Sequence, residues 1–200
     1  MDYKIILASN SPRRKELLAG LDVPFEVKVI AGVDESYPSA LDVYDVAEFI
    51  ACKKAEAYRT LLTDGVLVLT ADTVVVAPTT DEQNDQDGKG IILGKPHDVS
   101  EARRMLHLLS GKTHHVVTGV CLTTQSQQRH FSVVTEVSFR NLEDREIDYY
   151  IEKYQPFDKA GAYGIQEWIG YVGCVGLKGS YYNVMGLPVQ RIYEELKQLQ

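Results

Sequence analysis

Leu7-Ala8-Ser9-Asn10-Ser11-Pro12-Arg13-Arg14-Lys15-Glu16-Leu17-Leu18 carries an apolar segment through small hydroxyl residues into a stretch with helical spacing. Ser11 suits an N-cap, and Pro12 suits the first helical position, where no backbone N–H is missed. Lys4 to Ala8 reads as a strand, and Pro12 to Ala19 reads as a helix that Gly20 stops. A strand turned directly into a helix opens an α/β arrangement. The same turn holds chemistry. Backbone donors at the helix start sit beside Arg13 and Arg14, whose planar forks match phosphate oxygens, so the segment can form an anion site. A plain capped helix with solvated arginines fits it equally well.

Outward from that turn, Phe25, Val27 and Val29 alternate with Glu26 and Lys28, the period of a half-buried strand. Val43, Val46, Ala47, Ile50 and Ala57 predict an amphipathic helix from Asp42 to about Leu62. Val66 to Val76 is a β-branched run suited to burial on both faces, with Thr70-Ala71-Asp72-Thr73 as an interruption. Pro78 to Gly90 is acidic and amide-rich, an exposed loop whose removal should be tolerated, so residues 1–200 read as one domain. Asp98 and Glu101 predict a capping box for a helix that buries Ala102, Met105, Leu106 and Leu109 and ends at Gly111. Thr113 to Thr124 and His130 to Phe139 read as an antiparallel strand pair. Asn141 is expected to cap a helix bearing Ile147, Tyr150, Ile151 and Tyr154. Gly161 to Gly186 offers no assignable pattern, and Pro188 opens a terminal helix. Early strand–helix alternation followed by a hairpin predicts an α/β fold with a mixed sheet flanked by helices.

The 200 residues, 44% of them hydrophobic, suffice for one substantial core or two lobes sharing a sheet. A formal charge of -7 opposes non-specific binding to nucleic acid or an anionic membrane. The three cysteines, Cys52, Cys121 and Cys174, have no paired ligand spacing, so a reducing cytoplasm fits better than a disulfide framework or a zinc site. No export signal or membrane span is expected. Twelve tyrosines and the late loops permit a homodimer without requiring one.

Asp72 stands out because aspartate is depleted in β-branched runs, and a buried carboxylate needs a partner: a divalent cation, a lysine or a water to activate. A wet strand end is the plainer alternative. Lys54 follows Ile50 by four residues and lies on or beside the buried helix face, where it either snorkels to water or brings a point charge to a phosphate; Lys53 points elsewhere. Lys95, in Gly94-Lys95-Pro96, is a turn lysine, and Glu35, beside Asp34, is a candidate second carboxylate for a metal. Gln166 follows glycines that permit close backbone approach, and its carboxamide can match the edge of a uracil or thymine ring. His114 and His115 are strand neighbours facing opposite sides, which excludes joint chelation.

Together these segments resemble the Maf family of nucleoside triphosphate pyrophosphatases. Leu7 to Arg14, Ala71-Asp72-Thr73-Val74-Val75, Gly94-Lys95-Pro96, Leu109-Ser110-Gly111, Thr118-Gly119-Val120, Asp158-Lys159-Ala160-Gly161 and Tyr182 to Pro188 follow in the family's order nearly end to end. The resemblance implies an elongated mixed sheet with helices, in two lobes around a central cleft. It implies a general-base or metal-binding role for Asp72, with Glu35 and Lys54 as its partners, and a phosphate-handling role for Lys95. Ser9, Arg13 and Arg14 match its phosphate loop, while Thr73 and Gly164-Ile165-Gln166 match the subgroup acting on dTTP and UTP. Two departures are Glu167-Trp168 after Gln166, where members usually carry glycine, and a longer acidic loop before Gly94.

The implied reaction is hydrolysis of dTTP or UTP to the monophosphate and pyrophosphate, with Mg²⁺ or Mn²⁺ held by Asp72 and Glu35. The same chemistry on a modified or other nucleotide, 7-methyl-GTP or CTP, is one alternative. A nucleotide-sensing regulator of septum formation with little turnover is the other.

Overall fold

The structure, a computed structural model, describes residues 3–79 and 90–199, so residues 80–89 of the expected acidic loop lie outside the described residues. Its elements in chain order are β1 (Lys4–Leu7), α1 (Pro12–Ala19), β2 (Phe25–Val27), α2 (Val46–Glu56), β3 (Val66–Ala77), β4 (Ile91–Leu93) and α3 (Val99–Leu109). There follow β5 (Thr113–Thr123), β6 (Gln128–Phe139), α4 (Asp144–Tyr154), α5 (Trp168–Gly173), β7 (Cys174–Lys178), α6 (Tyr181–Met185) and α7 (Val189–Gln198). Seven strands form one sheet in the order β2-β1-β3-β5-β6-β7, with β4 paired to β3. It is mixed: β1 runs parallel to β2 and β3, whereas β4 and β7 run antiparallel to β3 and β6. Ile5, Ile6 and Leu7 of β1 are all buried, as a central parallel strand covered on both faces requires.

The chain divides into two compact units, Met1–Thr73, Thr118–Val133 and Tyr182–Gln200 in the first, Val74–Val117 and Val134–Tyr181 in the second. In the first, Leu17 and Leu18 of α1 and Ile192 and Leu196 of α7 join Ile5, Leu7, Leu67 and Leu69 in one apolar cluster. Helix α2 lies so close to β5 that a Cβ on Gly119 would stand 2.2 Å from the Glu48 backbone nitrogen. In the second, α3 packs against α4 and the short 3₁₀ turn Ala160–Ala162.

Several expectations shift. β3 is not interrupted at Thr70 to Thr73, because the polar groups find partners without leaving the strand: Thr70 Oγ1 donates to the Ala51 carbonyl at 2.7 Å. The helix expected from Asp42 starts at Val46, since Asp42 Oδ1 instead closes a turn on the Tyr44 N–H at 3.0 Å. β2 is an edge strand whose Val27 is exposed. Glu143, not Asn141, caps α4, in a reciprocal box with Glu146. The stretch with no legible pattern contains the 3₁₀ turn, α5, β7 and α6.

His114 and His115 do separate: His114 is fully buried, His115 half-buried. His114 Nε2 pairs with Tyr163 Oη at 2.8 Å and its ring meets the edges of Phe139 and Tyr163. Burial, helped by the neighbouring His115 charge, lowers its pKa to about 3. The unfolded chain therefore binds a proton that the folded state refuses, and stability falls as pH drops from about 6.5 towards 3. Urea unfolding between pH 7 and 4 should show this decline, and His114→Gln should make it shallower by up to about 1.4 kcal/mol per pH unit.

Candidate active site

The N-terminal turn forms as its residues dictate. Ser9 Oγ accepts from the Ser11 N–H at 3.2 Å, and Ser11 Oγ accepts from the Arg14 N–H at 3.4 Å, capping α1. Arg14 is a strut: Nε donates to the Gly186 carbonyl at 2.8 Å, Nη1 to the Ala71 carbonyl at 2.8 Å and Nη2 to Thr73 Oγ1 at 3.0 Å. Thr118 Oγ1 donates to the Asn183 carbonyl at 3.1 Å, so its contact with Thr73 Oγ1 at 3.0 Å is one it accepts. A directed chain thus runs from Arg14 through Thr73 and Thr118 to Asn183. Burial lowers the Arg14 pKa, the Asp72 charge opposes that shift, and the adjacent Arg13 charge adds to it. Arg13 is half-buried one helical step away.

Alternation along β3 sets the opposite face. Thr70 reaches Ala51 on α2, and Asp72, two residues on, reaches Lys54, one turn further along the same helix. Lys54 Nζ lies 2.7 Å from Asp72 Oδ1 and 3.0 Å from Glu35 Oε1. Two carboxylates from distant parts of the chain thus share one ammonium. The lysine and aspartate side chains are 16% and 15% exposed, against 55% for Glu35, so the first pair is the sheltered one. Lys53 holds the turn that presents Glu35: its Nζ meets Asp34 Oδ2 at 2.6 Å and the Ser36 carbonyl at 2.8 Å. The Lys53 contact and the Ser36 donors hold the Asp34 carboxyl well below the usual carboxylate range.

This donor set fits a hard divalent cation. No group of three or more His, Cys, Asp or Glu gathers for a metal among the described residues. Magnesium, however, is usually held by one or two carboxylates together with substrate phosphates and waters, which Asp72 and Glu35 match in number and kind.

Ser9, Arg13, Arg14, Glu35, Lys54, Asp72 and Thr73 all belong to the first unit; Lys95 and Gln166 belong to the second. Lys95 is exposed after β4, and the adjoining Gly94 carbonyl accepts the Gly161 N–H at 3.0 Å, which ties its segment to the glycine-rich stretch. Gln166 Oε1 is buried with no hydrogen-bond partner. The sequence assigned no site role to Lys159, Tyr150 or Glu167. Lys159, 8% exposed, pairs with Asp158 Oδ1 at 2.7 Å and Glu167 Oε1 at 3.1 Å. Its small and apolar neighbours, Phe157, Ala160 and Gly161, were the only local signal of its burial.

The fold is that of a known structural class: it aligns with the Ham1 protein of Staphylococcus aureus over 98% of this chain and 100% of that one, with a TM-score of 0.51 at 15% identity. The sequence profile described as Maf-like protein matches residues 4–199, and the chain belongs to the Maf family. A protein of Phocaeicola vulgatus named dTTP/UTP pyrophosphatase is 57% identical over 98% of this chain and 96% of its own length. One of the same name from Porphyromonas gingivalis is 53% identical over 98% of this chain and 94% of its own.

Arg14→Lys should be far from neutral, because an ammonium cannot replace a fork joined to three acceptors. Loss of one or two charge-assisted bonds predicts about 2–3 kcal/mol of destabilisation in urea titration.

Proposed function

We propose that this chain hydrolyses dTTP and UTP between the α- and β-phosphates, releasing the nucleoside monophosphate and pyrophosphate. The observation that carries this reading is the Asp72 carboxylate set in a strand, held at 2.7 Å by Lys54 on an ammonium shared with Glu35. The names of the relatives at 57% and 53% identity support the substrate class.

Water is the nucleophile. It attacks the α-phosphorus, the bond to the bridging oxygen breaks, and pyrophosphate leaves with the electron pair. Asp72 orients the water and accepts its proton, while Lys54 fixes the carboxylate in place. Arg13, the remaining Nη hydrogens of Arg14, the Ser9 turn and the start of α1 bind phosphate oxygens, and Lys95 supplies a further cation. Charge builds on the leaving group as the bond breaks, so these donors matter most in the transition state. Thr73 and Gln166 contribute base selection. Nucleotide pyrophosphatases of this family generally use divalent metals. Asp72 and Glu35 would hold Mg²⁺ or Mn²⁺, which polarises the phosphate when bound.

Three free thiols support a cytoplasmic setting, and no helix among the described residues is long and apolar enough to cross a membrane. A formal charge of -7 argues against a nucleic-acid substrate.

A triphosphate panel with pyrophosphate detection, run with and without divalent metal, tests the reading: dTTP and UTP should turn over fastest. Asp72→Asn should keep its fold by circular dichroism and lose at least ~10²-fold in kcat. Near-normal turnover by that variant removes Asp72 from the mechanism. Tight nucleotide binding with negligible hydrolysis by the wild type favours a nucleotide-sensing regulator instead.

A further inference from the structure

Gln166 occupies the third position of a tight turn, Gly164-Ile165-Gln166-Glu167, closed by the Glu167 N–H donating to the Gly164 carbonyl at 3.0 Å. Side chains close the same turn a second time. The Gly164 N–H donates to Tyr150 Oη at 2.9 Å, and the Tyr150 hydroxyl donates in turn to Glu167 Oε2. One phenol of α4 thus clasps both ends of the turn. Glu167 Oε1 lies 3.1 Å from Lys159 Nζ, and a lysine this deeply buried needs its anions, so the carboxylate is anchored from its far side.

The surroundings leave the turn little freedom. A Cβ on Gly164 would stand 2.9 Å from Glu167 Cδ, so the carboxylate folds directly over the glycine. A Cβ on Gly170 would stand 1.9 Å from the Ile165 carbonyl oxygen, so α5 abuts the turn as well. Held in this frame, Gln166 keeps a buried Oε1 without a hydrogen-bond partner. Such an acceptor is unfavourable until a ligand supplies the missing donor.

We infer that Glu167 and Tyr150 are positioning residues for base selection: they clamp the Gly164 to Glu167 turn so that Gln166 Oε1 is aimed at the ring N–H of a pyrimidine imide. This rests on the proposed hydrolysis of dTTP and UTP. Uracil and thymine carry a donor at N3, whereas cytosine carries an acceptor there. A carboxamide carried on a mobile turn can bring its NH₂ to cytosine; with the backbone pinned and Oε1 buried, the freedom to exchange its two ends is narrowed. A site built around one hydrogen bond rejects the base that lacks it. Glu167 is therefore part of this chain's selectivity.

The test compares wild type, Tyr150→Phe, Glu167→Gln and Gln166→Ala on UTP and CTP, with melting temperatures as a fold control. Tyr150→Phe and Glu167→Gln should each narrow the UTP-to-CTP ratio of kcat/KM by about tenfold, through a raised KM for UTP with kcat nearly unchanged. Equal losses on both nucleotides, or an unchanged ratio while Gln166→Ala narrows it, overturn the clamp and leave the pyrimidine reading standing. An unchanged ratio in Gln166→Ala overturns the base readout and the clamp together. Absence of UTP turnover in the wild type overturns the reading on which both rest. Should Glu167→Gln fail to fold, Tyr150→Phe decides alone.

Discussion

A carboxylate partway along a twelve-residue strand has lost much of its water, and the first unit is organised around what replaces it. Asp72 receives the Lys54 ammonium at 2.7 Å. That contact exists only because α2 lies close to the sheet, which in turn needs the bare Cα of Gly119 and the Thr70 hydroxyl that ties β3 to the Ala51 carbonyl. A side chain on Gly119 would lift the helix and draw the lysine away. Desolvated charges are costly unless paired with good geometry, so the packing of a helix and the chemistry of a carboxylate are one constraint.

The same rule recurs twice with the sign reversed. Arg14 and Lys159 are cations withdrawn from water, and each is surrounded by oxygens: three acceptors around the guanidinium, two carboxylates around the ammonium. At Arg14 the partners come from segments far apart in sequence, at Lys159 from its neighbour Asp158 and from Glu167 a short way on, and in both places the cation acts as a joint. Arg14 ties the first helical turn to β3 and to the Gly186 loop. Lys159, through Glu167, ties the glycine-rich stretch to α4. A neutral residue in either place would remove the joint as well as the charge.

Much of the architecture was legible because it is local. The Ser11 cap, the Pro12 start and the Asp98 cap of α3 each depend on atoms within three or four residues, and the structure reproduces them. The candidate site was legible in its members and not in their wiring. Asp72 and Lys54 were conspicuous as polar residues in apolar surroundings, but nothing in the chain near Lys54 says that Glu35 would share its ammonium. Arg14 looked no different from its neighbour in the chain, and only its bonds to Gly186, Ala71 and Thr73 make it a strut. Glu167 registered as a departure, without the tyrosine and lysine that explain it.

By itself the sequence determined the class of fold, the order of its elements outside the glycine-rich stretch and the residues able to carry charge into apolar surroundings, since periodicity, capping and composition are short-range properties of the chain. Tertiary structure alone decided which oxygens each buried cation meets, why β3 runs unbroken through Asp72, and how the Gln166 turn is clasped. Those outcomes depend on desolvation and hydrogen bonding between segments up to 172 residues apart, and no local pattern encodes such distances.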